Sequence, residues 1–307
     1  MPKVTRSFQT SLLMRVGSTE DIKNSFENRT LEFGCAANWI DYEWKKHNGT
    51  TGDIHECTFA HLEKDDTQIN SIVDVTGRPM GDHLLILQDM SDSTCFLCFI
   101  PTILTPVLCF YSFNVDKIRE GMAVKDLADP SIKFDLNMYR NGMGYDANDS
   151  SFLLITDPVM FVDELHKQIP IAVRDNLQNL TSKRYYGEFN PEDPVTATAV
   201  VYDKHSEKEL YFDRPGNQDE LFWKYPKYAW QSELRFAIPN LNFAQTLDPD
   251  VEYDHKLNKL KVQLPKMQEY AKVFPASKAR SLLFDRFDDE THTHRFAVLG
   301  APDESAV

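Results

Sequence analysis

The chain has no Gly-rich loop of the kind that cradles phosphate, no nucleophile elbow, and no second cysteine pair that would complete a zinc site. It is also short of positive charge. Across 307 residues, 33 Lys and Arg stand against 47 Asp and Glu, a formal charge of −14. A broad nucleic-acid footprint needs Lys and Arg to displace phosphate counterions, so this balance argues against one and leaves room only for a local basic cleft. No basic start followed by an apolar run opens the chain, so no secretory signal is expected. The five cysteines form no regular framework, which suits a reducing cytoplasm. Cys95-x-x-Cys98 lies in the apolar run Cys95-Phe96-Leu97-Cys98-Phe99-Ile100 and reads as buried structure rather than redox or zinc chemistry. Residues 95 to 113 carry no charge, but Pro101 and Pro106 interrupt them and no Lys/Arg bias flanks them. A helix-interior proline costs about 3 kcal/mol. Two buried strands around a Pro-x4-Pro loop are therefore expected in place of a membrane span, and the chain reads as soluble and cytoplasmic.

What is present has the pattern of one α+β domain with decorations, or of two closely fused lobes. Residues 11 to 16 read as a strand carrying Arg15. Ser18 has the chemistry of a helix N-cap, with Glu20 and Asp21 in the first turn, Ile22 and Phe26 on one face, and Asn28 at the end. Leu31-Glu32-Phe33 resumes as a strand. A long polar and aromatic loop follows, from Asn38-Trp39 to Gly52-Asp53, and long ordered loops are often functional. Further strands are expected at His55 to His61, Leu84 to Leu87, up to Phe113, at Ser151 to Ile155 and at Thr196 to Tyr202. A helix is expected over Asp157 to Gln168, a short aromatic one near Asp219 to Tyr225, and an alternating strand over His255 to Leu264. The domain reading is 1–300, with an inserted middle region at about 116–195 and a loose tail at 301–307.

The most informative stretch is Trp230-Gln231-Ser232-Glu233-Leu234-Arg235-Phe236. In a strand, Gln231, Glu233 and Arg235 share one face, while Leu234 and Phe236 take the other and pack on a core. The plain reading of that polar row is the solvated side of an antiparallel strand. A Gln-x-Glu strand is also a signature of mono-ADP-ribosyltransferases. The Arg-bearing first strand, the short helix and Asn28-x-x-Leu31-x-Phe33 resemble the opening of ADP-ribosyltransferase-like toxins. With Gly52-Asp53-x-x-Glu56 and the late Gln231-x-Glu233-x-Arg235, the chain also looks like an uncharacterised bacterial and phage family. These motifs are scattered over about residues 11 to 240. Where the family's Ser-Thr-Ser stands, this chain reads Ser112-Phe113-Asn114.

The resemblance implies a mostly antiparallel split β-sheet core of ADP-ribosyltransferase type with helical and loop insertions. It implies NAD as substrate, Glu233 at the ribose, Gln231 facing the acceptor, Ser112 hydrogen-bonded to Glu233, and Arg15 on the pyrophosphate. A guanidinium suits that last task by its bidentate geometry, and a carboxylate suits a transition state with oxocarbenium character. Tyr111 or Trp230 would stack on nicotinamide or acceptor. A toxin or antiphage defence effector is implied, acting on a nucleic acid or protein, with an antitoxin or phage protein as a further partner. Arg235 reads equally as a phosphate ligand or as an ion pair holding Glu233. Two other classes stay open. Asp53, His55, Glu56 and His61 could serve a metal-dependent nuclease. Alternatively, the Trp39 to Trp44 loop could be the contact surface of a non-catalytic partner-binding module.

Overall fold

The computed structural model of the chain describes residues 11–40, 57–63, 84–88, 94–114, 149–181, 188–202, 219–224, 233–244, 258–276, 283–288 and 294–299. Strand β1 (Ser11–Ser18) runs directly into helix α1 (Thr19–Glu27), whose N-cap is Ser18: its Oγ accepts from the Asp21 N–H at 3.0 Å. The turn is tight. A Cβ on Gly17 would stand 3.3 Å from Ile22, so the side chain is missing where the helix folds back on its own strand. Asn28 caps the C-terminus, and Arg29 follows in the left-handed region at φ 54°. Strand β2 (Thr30–Phe33) comes next, with Leu31 and Phe33 buried.

Strands β3 (Thr58–Glu63), β4 (Leu84–Gln88) and β5 (Thr94–Phe99) form a small antiparallel sheet with β5 in the middle. The expected Pro-x4-Pro loop contains one helical turn, α2 (Ile100–Ile103), before strand β6 (Val107–Asn114). Cys95 and Cys98 are buried and in no disulfide, in keeping with their apolar setting.

Strand β7 (Ser150–Ile155) is buried throughout and leads to helix α3 (Pro158–Asp175), capped by Asp157 through its Oδ1 on the Met160 N–H at 2.9 Å. The helix outlasts its expected end at Gln168 and passes Pro170, because Ile169, Ala172 and Val173 beyond that point are buried in the core. Short strands follow: β8 (Leu180–Thr181), β9 (Thr196–Ala199), β10 (Val201–Tyr202) and β11 (Trp223–Lys224), the last after a 3₁₀ turn at Asp219–Phe222. Then come β12 (Glu233–Ala237), β13 (Asn242–Phe243) and β14 (Leu260–Gln263), whose burial alternates along the strand. Helix α4 (Met267–Tyr270) precedes β15 (Ala271–Pro275), and a hairpin of β16 (Leu283–Asp288) and β17 (His294–Leu299) completes the described elements.

The centre is a six-stranded sheet in the order β15-β7-β1-β6-β12-β9, with every neighbouring pair antiparallel. One face meets α3. Phe110 of β6, Phe161 of α3 and Phe236 of β12 stack edge to face at centroid distances of 5.4 to 5.8 Å. Such pairs are worth about 0.5–1.5 kcal/mol each beyond the area they bury. Leu13, Leu153, Leu165, Ile169 and Leu234 join the same core. Glu164 of α3 is buried but satisfied, accepting from the Lys266 N–H at 2.8 Å and the Tyr270 hydroxyl at 2.5 Å. That contact ties α3 to α4 and raises the Tyr270 pKa, through burial first and the Glu164 carboxylate second.

The architecture is mixed helix and strand with a mostly antiparallel sheet, in agreement with the α+β expectation. Part of the stretch expected as an inserted middle region supplies β7 and α3, so residues 150 to 175 belong to the central layers. Asn38 and Trp39, expected to open a long loop, lie in a helical stretch at 36–40 that packs Ala36, Ala37 and Ile40 into the core. Among the described residues no helix is long and apolar enough to cross a membrane.

Candidate active site

Cross-strand partners share a face of the sheet, so register decides which side chains meet. Tyr111 of β6 stands between Met14 of β1 and Glu233 of β12, and Cys109 stands opposite Arg235. Tyr111, Cys109, Glu233 and Arg235 therefore line one face. Ser112 pairs with Leu13, and Phe110 with Leu234, on the face that meets the core. Ser112 thus belongs to the opposite row from Glu233, one residue away from the position that faces it.

The polar row of β12 is not solvated, which corrects the plain reading of it. Glu233 is 7 % exposed and Arg235 is fully buried at 0 %. Arg235 Nε donates to Glu233 Oε1 at 2.8 Å, and its Nη2 reaches Oε2 at 3.4 Å. Its Nη1 donates to the Leu221 carbonyl, and the guanidinium lies 5.3 Å from the centroid of the Trp39 ring. Each of its ends is held by a different element. Lys224 of β11 adds a second cation, with Nζ at 2.8 Å from Glu233 Oε2. Arg235 is thus the ion-pair partner of Glu233.

Burial alone would raise the Glu233 pKa. The charges of Arg235 and Lys224, with hydrogen bonds from Arg235 and the Cys109 thiol, more than reverse that and hold the carboxyl ionised well below its ordinary range. Cys109 moves the other way. Burial and the neighbouring Glu233 charge push its thiol well up, so it serves Glu233 as a donor and not as a thiolate.

Arg15 lies where β1 parts from β6, just past the last β1–β6 pair, Met14 with Tyr111. Desolvation lowers its pKa, opposed by the nearby Cys109, Glu32 and Asp21. Among the described residues it makes no hydrogen bond and no ion pair, whereas Glu32 is committed to Lys259 at 2.9 Å and Lys261 at 3.3 Å. Arg15 is only partly buried. Arg15 and Glu233 lie on strands either side of β6, but Arg15 has the parity of Leu13 and pairs with Leu153, so alternation sets it in the row of Ser112, opposite that of Met14, Tyr111 and Glu233.

Gln231 and Trp230 fall outside the described residues, as do Trp44, Asp53, His55 and Glu56. Among the described residues no group of three or more His, Cys, Asp or Glu could hold a metal ion. Two residues of the site, Lys224 and Cys109, escaped sequence reasoning, and Trp39 was expected only as part of a loop contact surface. Cys109 shares a strand face with Tyr111, a signal that becomes visible only once β6 is known to lie beside β12. Comparison with protein-family models, with curated proteins and with solved structures finds no match.

Proposed function

We propose that the chain is an NAD-dependent mono-ADP-ribosyltransferase built on a split antiparallel sheet, an effector that modifies a protein or nucleic-acid acceptor. The observation that supports this most is the fixed, ionised carboxylate of Glu233 on β12, beside Tyr111 of β6 on the same face of the sheet. Glu233 faces the sugar, while Arg15, in the opposite row, does not share its face. The bond from ribose to nicotinamide breaks with its electron pair leaving on nicotinamide. An acceptor nucleophile then bonds to the ribose carbon and gives up its proton to solvent. A fixed carboxylate favours the cationic transition state because it needs no reorganisation as charge develops. Tyr111, in the row of Glu233, is the aromatic closest to that chemistry by register. Ser112 has the opposite parity, so Cys109 takes over the role of donor to Glu233.

One observation favours a second reading. Glu233 is nine-tenths buried and answered by two cations, the arrangement of a structural ion cluster. On that reading the chain is a non-catalytic module that binds a partner, and Glu233 only shapes the sheet.

Labelled NAD incubated with the purified chain, with and without cell extract, separates the two. Release of nicotinamide, or label on a macromolecule, lost in Glu233→Gln, is the expected result. Absence of turnover and of NAD binding in folded protein would refute the transferase and leave the binding module.

A further inference from the structure

Beside the face that meets the sheet, α3 carries a second one. Met160, Asp163, Glu164 and Lys167 recur at the three- and four-residue spacing of a single helical face. With Pro265 and Lys266 before α4 they line a cavity of about 350 Å³. Small-molecule sites span about 300–1,000 Å³, so the space is large enough for a small ligand. Of the four charged residues just named, Glu164 alone is buried, while Asp163, Lys167 and Lys266 are exposed. Its hydrogen-bond partners are both neutral donors, the Lys266 N–H on Oε1 and the Tyr270 hydroxyl on Oε2. Among the described residues it makes no ion pair. A carboxylate has about four acceptor sites, so these two contacts leave half of them unused.

Buried charges are ordinarily paired with an opposite charge. The nearby lysines do not supply it. Lys167 follows Asp163 by four residues, the spacing and order that suit an exposed helical pair, and Lys266 meets Glu164 through its backbone while its side chain is exposed. A divalent metal asks for more oxygen ligands, and among the described residues no group of three or more His, Cys, Asp or Glu is placed to hold one. We propose that this cavity binds a small organic cation, a primary ammonium on a short apolar stem. The ammonium donates to the unused acceptor sites of Glu164, and the stem lies along Met160 and Pro265. The unbranched thioether of Met160, half-buried in the wall, adapts to that stem. Glu164 thereby gains the opposite charge that its burial calls for, while Tyr270 and the Lys266 N–H hold the carboxylate in place. The site belongs to α3 and the turn before α4, and depends neither on Glu233 nor on NAD.

Butylammonium is the probe, titrated into the full chain at constant ionic strength beside 1-butanol and butyrate as neutral and anionic controls. The methyl resonance of Met160, assigned through Met160→Leu, is expected to move with butylammonium at a dissociation constant of about 1 mM, the scale for so few atoms, and to stay in place with either control. Glu164→Gln, shown to melt cooperatively, is expected to bind at least tenfold more weakly. Met160→Trp fills the cavity from its wall and leaves Glu164 intact, so it tests the site even if Glu164→Gln does not fold. Calorimetric binding of butylammonium is expected to be lost in it. A Met160 resonance that ignores butylammonium, an equal response to 1-butanol or butyrate, or undiminished binding by either folded variant overturns the proposal.

Discussion

Glu233→Gln tests the central ion cluster most directly, through stability rather than activity. The substitution keeps the shape of the side chain and removes its charge. Arg235, with no exposure to water, and Lys224 both lose the carboxylate they bond. Breaking a buried pair from one side costs about 3–5 kcal/mol, because the remaining charge keeps its desolvation penalty. For a chain of this size each kcal/mol moves the melting temperature by about 2 °C, so a fall of about 6–10 °C is expected at pH 7. Lys224→Met removes one of the two cations and leaves Glu233 paired with Arg235, so it should cost less than Glu233→Gln. Acid provides an internal check. The folded pKa of Glu233 is depressed, so its contribution is complete above the unfolded carboxylate value of about 4.3 and is lost as pH falls from there toward the folded value. The gap between wild type and Glu233→Gln should therefore narrow below about pH 4. Circular dichroism melts across that range read all of this. A shift under about 2 °C at pH 7, or a gap that does not shrink in acid, would refute the reasoning.

Arg15→Ala should leave the melting temperature close to that of the wild type, since Arg15 makes no hydrogen bond or ion pair among the described residues and is only partly buried. Tyr270→Phe removes the hydroxyl that donates to buried Glu164, and should cost about 1.5–3 kcal/mol in urea denaturation, the range for hydrogen bonds to charged groups. A melt within error of wild type would remove that contact as an anchor of α3. Cys109 should resist alkylation in native protein at pH 8, because burial and Glu233 hold it as a thiol, and should react once urea unfolds the chain. Rapid native labelling would contradict the raised pKa.

Local chemistry made several elements readable in advance. Ser18 with Asp21 marked the start of α1, the apolar run from Cys95 gave β5 and β6, and Asp157 capped α3 where a helix was expected. Alternation along β12 separated Leu234 and Phe236 from Glu233 and Arg235 correctly. It could not say what covers the second set. Charged side chains are seldom buried, so the row looked solvated until the 36–40 helix and the 219–224 segment were seen to lie over it. Lys224 escaped for a related reason: it meets Glu233 from an element of two residues, too short to carry any periodicity. The parity of Ser112 against Tyr111 depends on the β6–β12 register, which a single sequence does not encode.

The place of β1 in the sheet also governs how the chain reaches it. Both neighbours of β1 come much later in sequence, since Leu13 waits for Ser112 on one side and Ile155 on the other. The ribosome therefore releases β1 with two unsatisfied edges long before either partner is made. Such non-local pairings fold slowly, on the scale of milliseconds to seconds, and an apolar strand left waiting is a site for mispairing with other chains. Expression yield should then respond to synthesis rate and to chaperone supply more strongly than equilibrium stability would suggest.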